Sequence, residues 1–255
     1  MLALKEKADV SRYCSIVGVI LIEQELRHYA RPGRVSDLAR FFKTGPGEYG
    51  EGDQFLGLTV PDTRLVAKKF KNLDFEDLAK LFNSPFHEAR LCAAIILNLQ
   101  FKEAKTSPQR KKIFDFYLKQ VRAERVNNWD IVDVSAPWMG VYLLEVDDPM
   151  PLLIKLSRSK SLWQRRVSMI LTFALIRVGD LEPTLIIAEA LRNDKEDLIH
   201  KAVGWMLREL GKKDVMLLRG FLRKHSHEMP RTMLRYAIEK LPEQERKKWL
   251  VESKR

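Results

Sequence analysis

Apolar residues recur at every third or fourth position along almost the whole chain, and they almost nowhere alternate as a strand would. Pro, Gly, Asn or Asp stand at the breaks in this pattern. The spacing predicts a helix from Val10 to Tyr29, closed by Arg31-Pro32-Gly33, and a short one from Val35 to Lys43. Thr44 to Val60 carries glycines at 45, 47, 50, 52 and 57 and is predicted irregular. A further helix begins at Pro61, with Thr59 as its cap. From Asp74 onward the pattern falls into helix pairs near 74–103, 107–146, 149–178, 181–211 and 214–241, and a last helix begins at about Glu243.

Paired helices repeating at about 30 to 40 residues indicate an all-α fold, an α-solenoid of HEAT-like repeats. Its expected form is C-shaped with a basic concave groove. The whole of 1–255 is expected to be one repeat domain, with 1–33 an N-terminal helix and possible extension and 34–255 the repeats. In a solenoid the second helix of each pair lines the inner face. The starts of four such helices read Glu88-Ala89-Arg90-Leu91, Gln164-Arg165-Arg166-Val167, His200-Lys201-Ala202-Val203 and Pro230-Arg231-Thr232-Met233. Aligned this way, Arg90, Arg166, Lys201 and Arg231 occupy one register and would form a cationic stripe.

Charge makes that stripe consequential. Lys and Arg number 45 against 34 Asp and Glu, a net charge of +11. An excess of this size points to a polyanionic partner, and cations following a repeat suit a phosphate backbone. The competing reading is that these cations pair with acids of neighbouring repeats.

The unit skipped by the stripe holds Asn127-Asn128-Trp129-Asp130-Ile131-Val132-Asp133. With Asn127 or Asn128 as cap, Trp129 and Asp133 sit four residues apart on one helical face. A carboxylate beside an indole and among Ile131, Val132 and Val134 is either paired and structural or set to meet a cation that arrives later. Trp205 follows Lys201 by one helical turn, and Trp163 precedes Arg166 by three residues. An indole taken alone is more often core than platform.

Other chemistry is thin. The two cysteines, Cys14 and Cys92, lie among apolar residues and are expected to be buried, reduced thiols of a cytosolic protein. The five histidines make no metal pattern. The glycine-rich segment lacks a Gly-Lys-Ser/Thr ending, and Glu48, Glu51 and Asp53 would repel phosphate. Ile16 to Ile22 falls well short of the roughly 20 residues a membrane span needs, and no export signal is expected.

The segments Phe55-Leu56-Gly57-Leu58-Thr59-Val60-Pro61-Asp62-Thr63-Arg64, Trp129-Asp130-Ile131-Val132-Asp133, Leu162-Trp163-Gln164-Arg165-Arg166 and Lys201-Ala202-Val203-Gly204-Trp205-Met206-Leu207-Arg208-Glu209 together resemble the DNA alkylation repair glycosylases with HEAT-like repeats, the AlkD family. The resemblance runs from about residue 34 to about 240. It implies hydrolysis of the N-glycosidic bond of cationic N3- and N7-alkylpurines, such as 3-methyladenine and 7-methylguanine, in duplex DNA without base flipping. It implies Asp133, Trp129 and Trp205 as catalytic residues. Arg166, with Arg165 one position away, would contact DNA, joined by Arg90, Lys201 and Arg231. No cofactor or metal is implied. The expected partner of this monomer is double-stranded DNA containing alkylated bases, and the expected location is the cytoplasm, at the nucleoid when acting on DNA. Two alternatives stay open: a non-enzymatic repeat protein that binds DNA structures or damaged DNA, and a scaffold for an acidic protein.

Overall fold

The computed structural model describes residues 18–252, which form two compact units divided after Ser135. Among the described residues there is no named strand, only an isolated bridge between Gln54 and Phe86. The fold is an all-helical α-solenoid of paired helices. Cys14 and the start of the first expected helix lie outside the described residues.

In the first unit, α1 covers 18–28 and a 3-10 turn at Pro32–Arg34 leads into α2, Val35–Phe41. After the irregular segment come α3 (Val60–Lys69), α4 (Phe75–Phe82), α5 (His87–Glu103) and α6 (Ser107–Arg122). Thr59 caps α3 as expected: its hydroxyl accepts from the Asp62 amide while Asp62 reaches back to the Thr59 amide. Helix α5 is buried along most of its length and packs against α3, α4 and α6. Helix α7, Trp129–Met139, is tied to α5 by Asn98, whose amide donates to the Val134 carbonyl at 2.8 Å. Cys92, on α5, is a free and buried thiol; burial pushes its pKa up to about 12, so it stays protonated.

The glycine-rich segment is a built part of this unit. The Glu88 carboxylate on α5 accepts from the amides of Leu56 (3.0 Å), Gly57 (2.8 Å) and Leu58 (3.2 Å). Three amides converging on one carboxylate require a backbone turn that only glycine makes freely, and Gly57 has φ +90°. A Cβ there would stand 2.2 Å from the Arg31 carbonyl oxygen. Gly57→Ala is expected to cost at least about 2 kcal/mol in urea denaturation, since both the dihedral and the contact resist it.

In the second unit the 3-10 stretch Gly140–Glu145 is followed by α8 (Met150–Ser157), α9 (Leu162–Leu171), α10 (Phe173–Val178), α11 (Glu182–Leu191), α12 (Asp197–Lys213), α13 (Val215–His225), α14 (Arg231–Ala237) and α15 (Glu243–Glu252). First helices α8 and α11 pack together, and second helices α9, α12 and α14 pack together. This two-layer stacking is the solenoid arrangement.

Two expected helices are interrupted. Pro137, inside α7, brings no N–H to the Asp133 carbonyl four residues earlier, and the helix gives way to the 3-10 stretch three residues later. The expected helix ending near 178 divides at Thr172, whose hydroxyl bonds the Met169 carbonyl at 2.8 Å.

Candidate functional site

Asn128, fully buried, is the residue that caps α7: its carbonyl accepts from the Val132 amide at 3.1 Å, the first bond of the helix. Its side-chain oxygen also accepts from the Trp129 amide at 2.8 Å. Trp129 and Asp133 follow one turn apart, and both are half-buried. The Trp129 ring stacks on Phe42 with centroids 5.5 Å apart and meets the edge of Phe41 at 5.9 Å. Phe42 in turn lies against Phe55 and the imidazole of His87. An apolar cavity of about 390 Å³ opens beside this cluster, lined by Leu38, Phe41, Phe42, Phe55, Pro61 and Trp129 among others.

Asp133 lies close enough to Tyr117 that its charge raises the phenol's pKa, reinforcing the larger upward effect of burial. Opposing both is Ser135, whose hydroxyl lies 3.1 Å from that of Tyr117 and 2.6 Å from the Ile131 carbonyl.

Behind Trp129 is a buried polar cluster that the sequence did not reveal. Asp53, from the glycine-rich segment, binds Arg90 Nη2 through Oδ1 at 2.5 Å. Its Oδ2 meets His87 Nδ1 and Asn128 Nδ2, each at 3.2 Å. His87 Nε2 reaches Asp130 Oδ2 at 2.9 Å. Burial opposes the charged imidazole, but Asp130 and Asp53 outweigh it and raise the pKa of His87 from 6.5 to about 9. Burial likewise opposes the Asp53 carboxylate, yet the bond from His87 and the charge of Arg90 hold it below the ordinary range.

A group whose pKa rises on folding stabilises the folded state fully below its unfolded value and loses that contribution as pH climbs to the folded value. For His87 that window runs from 6.5 to about 9. The expected loss between pH 6 and 10 is roughly 3 kcal/mol, read by urea denaturation at each pH. A His87→Gln variant should lack that slope.

The structure sorts the expected cations differently from the sequence. Arg90 is 5% exposed, bound to Asp53 and to the Ser84 carbonyl at 2.9 Å. Its guanidinium is engaged by a buried carboxylate and a helix-turn carbonyl, the partners that a cation buried this deeply requires. The four expected cations do not share a register. Arg90 is the fourth residue of its helix, Arg166 and Lys201 are the fifth of theirs, and Arg231 is the first.

What does recur is the fourth position. Arg90 donates to the Ser84 carbonyl at 2.9 Å, Arg110 to Ala104 at 3.0 Å, Arg165 to Ser159 at 3.1 Å and His200 to Asp194 at 2.6 Å. Each reaches six residues back, to a carbonyl left without a helical partner at the end or just beyond the end of the preceding helix. A donor in that place satisfies the turn between successive helices. The recurring donor is therefore a structural feature of the inter-helix turn.

Arg165 also pairs with Asp194, Nε to Oδ2 at 2.6 Å. Arg166 is 4% exposed and its guanidinium donates to the Leu198 carbonyl. Lys201 is partly exposed and pairs with Asp197 at 2.7 Å. Arg231 donates to the Leu250 carbonyl at 2.7 Å. Trp205, half-buried on α12, lies 6.1 Å from Phe173, while Trp163 is a core residue at 6% exposure. Among the described residues no group of three or more His, Cys, Asp or Glu could hold a metal ion, and no helix is long and apolar enough to cross a membrane.

Stacked helix pairs in two layers place this protein among the α-solenoids. A solved structure described as a predicted DNA alkylation repair enzyme from Enterococcus faecalis has the same fold, with a TM-score of 0.65 at 15% identity over 84% of this chain and 97% of that one. No curated protein matches the sequence. The chain belongs to the family described as DNA alkylation repair enzyme, whose pattern it matches over residues 22–241.

Proposed function

We propose that the protein is a DNA glycosylase that hydrolyses the N-glycosidic bond of cationic N3- and N7-alkylpurines in duplex DNA, without flipping the base. The observation that carries this reading is Asp133, a half-buried carboxylate one helical turn from a half-buried indole, in a chain of net charge +11 that belongs to a DNA alkylation repair family.

An alkylated purine already bears positive charge and leaves without protonation. As the bond to C1′ lengthens, the deoxyribose becomes an oxocarbenium ion. A fixed carboxylate stabilises that ion and orients or deprotonates the attacking water. Trp129 and Trp205 present indole faces that attract cationic rings and sugars, at about 0.5 to 2 kcal/mol each. Arg165, Arg166, Lys201 and Arg231 are the proposed phosphate contacts, and they hold position without reading sequence. Lys201 is more accessible than Arg165, with 39% of its side chain exposed against 16%. The reaction needs no cofactor, and the acting species is a monomer on double-stranded DNA.

Incubation with duplex DNA carrying 7-methylguanine or 3-methyladenine tests the reading. Free base is expected to appear at a rate far above spontaneous depurination. DNA retained in a gel shift without any base released would instead establish a damage-binding protein.

A further inference from the structure

The residues on either side of Trp129 are both tied to one buried cluster. Before it, Asn128 donates to Asp53 Oδ2 at 3.2 Å; after it, Asp130 holds His87 Nε2 at 2.9 Å. His87 closes the circuit by reaching the same Asp53 oxygen at 3.2 Å. The Asp130 carboxylate also accepts from the Ile131 amide at 2.8 Å, taking up an orphan donor of the helix start. The indole itself stacks on Phe42, whose ring lies 4.5 Å from that of His87.

Two carboxylates, an imidazole and a guanidinium are an expensive filling for a protein interior, and apolar side chains of the same volume would commonly be as stable or more so. What such groups supply is direction, since each hydrogen bond fixes an angle that apolar packing leaves loose. Here the angles converge on the first turn of α7, the turn that orients Trp129 and, one turn on, Asp133.

We propose that Asp53, His87 and Asp130 are positioning residues that fix the start of α7, and through it the placement of Trp129 and Asp133, by bonding the chain on both sides of the indole. The geometric part stands on the contacts above; its kinetic consequence rests on the reading of Asp133 as the reacting carboxylate. A reacting group displaced by about 1 Å can lose on the order of a hundredfold in rate.

The experiment uses the full chain labelled with 5-fluorotryptophan, with the Trp129 resonance assigned through Trp129→Phe. The charged groups facing His87 are Asp53 from the irregular segment and Asp130 from α7, with Arg90 of its own helix sharing Asp53. In the unmodified protein the Trp129 resonance is expected to titrate with an inflexion near pH 9, the value for His87, while those of Trp163 and Trp249 stay still. Asp130→Asn keeps the side-chain size and removes one charge. It should move that inflexion to lower pH and cut base release tenfold or more, with duplex Kd changed less than twofold.

A Trp129 resonance that ignores both the titration and the substitution overturns the proposal. Should Asp130→Asn fail to fold, the titration of the unmodified protein alone decides it. A Trp129 resonance that responds in a protein releasing no base keeps the positioning role and removes the glycosylase reading.

Discussion

Asp133→Asn is expected to lower release of 7-methylguanine roughly a thousandfold while leaving duplex affinity within about twofold. Asparagine fills the same volume and keeps a hydrogen-bonding oxygen on the same helical face as Trp129. What it lacks is the full negative charge. In the ground state that charge faces an alkylpurine whose positive charge sits on the base. In the transition state the positive charge has moved to the sugar, where a fixed carboxylate interacts with it most strongly. The loss therefore falls on the rate of bond cleavage and only slightly on binding. Base release by Asp133→Asn at the unmodified rate would remove Asp133 from the reaction, and the proposed mechanism with it. Loss of duplex binding along with release would instead make Asp133 a structural residue, a distinction that thermal unfolding of the variant would confirm.

Asp53→Ala is the substitution with the largest expected cost in stability, roughly 3 to 5 kcal/mol. Asp53 is buried at the meeting point of Arg90, His87 and Asn128. Removing it leaves a guanidinium that is 5% exposed without its carboxylate. The Nε of Arg90 already lacks a partner, so little remains to compensate. The imidazole keeps Asp130, yet loses the second of the two charges that hold its proton. A chain of this size should lose roughly 10 °C in Tm. Asp53→Asn retains the shape and some of the bonds, and should fall between the two. A cost below about 1 kcal/mol for Asp53→Ala would mean that the cluster adds nothing cooperative.

Both results bear on a segment whose part in the fold the sequence concealed. In the sequence its acids argue only against a phosphate site. Why it carries Asp53 and Gly57 is answered only by α5 and by the cap of α7, which lie more than thirty and more than seventy positions further on (|i−j| = 34 for His87, 75 for Asn128). His87 was set aside with the other histidines for want of a metal pattern. Its function is set by two carboxylates far from it in sequence, and hydropathy spacing carries no trace of such a pairing.

The arginines illustrate the same limit. The sequence contained a true regularity, a basic residue near the start of successive second helices. Read as a surface stripe, it gave Arg90, Arg166, Lys201 and Arg231. The structure shows a different regularity, not confined to second helices: Arg90, Arg110, Arg165 and His200 each donate to a carbonyl six residues earlier. One residue along a helix is a rotation of about 100°, enough to turn a side chain from the turn behind it toward another neighbour. Periodicity alone cannot separate those two faces when both tolerate a cation.

The sequence by itself determined the helix pairs, their repeat and their caps, because a 3.6-residue period and a few Pro, Gly and Thr positions act locally. It also singled out Trp129 and Asp133, since four residues in a helix always bring two side chains to one face. Only the tertiary structure decided which charges are spent inside the protein. That choice depends on burial and on partners brought together from distant segments, where the cost of an unpaired ion is high enough to dictate the pairing.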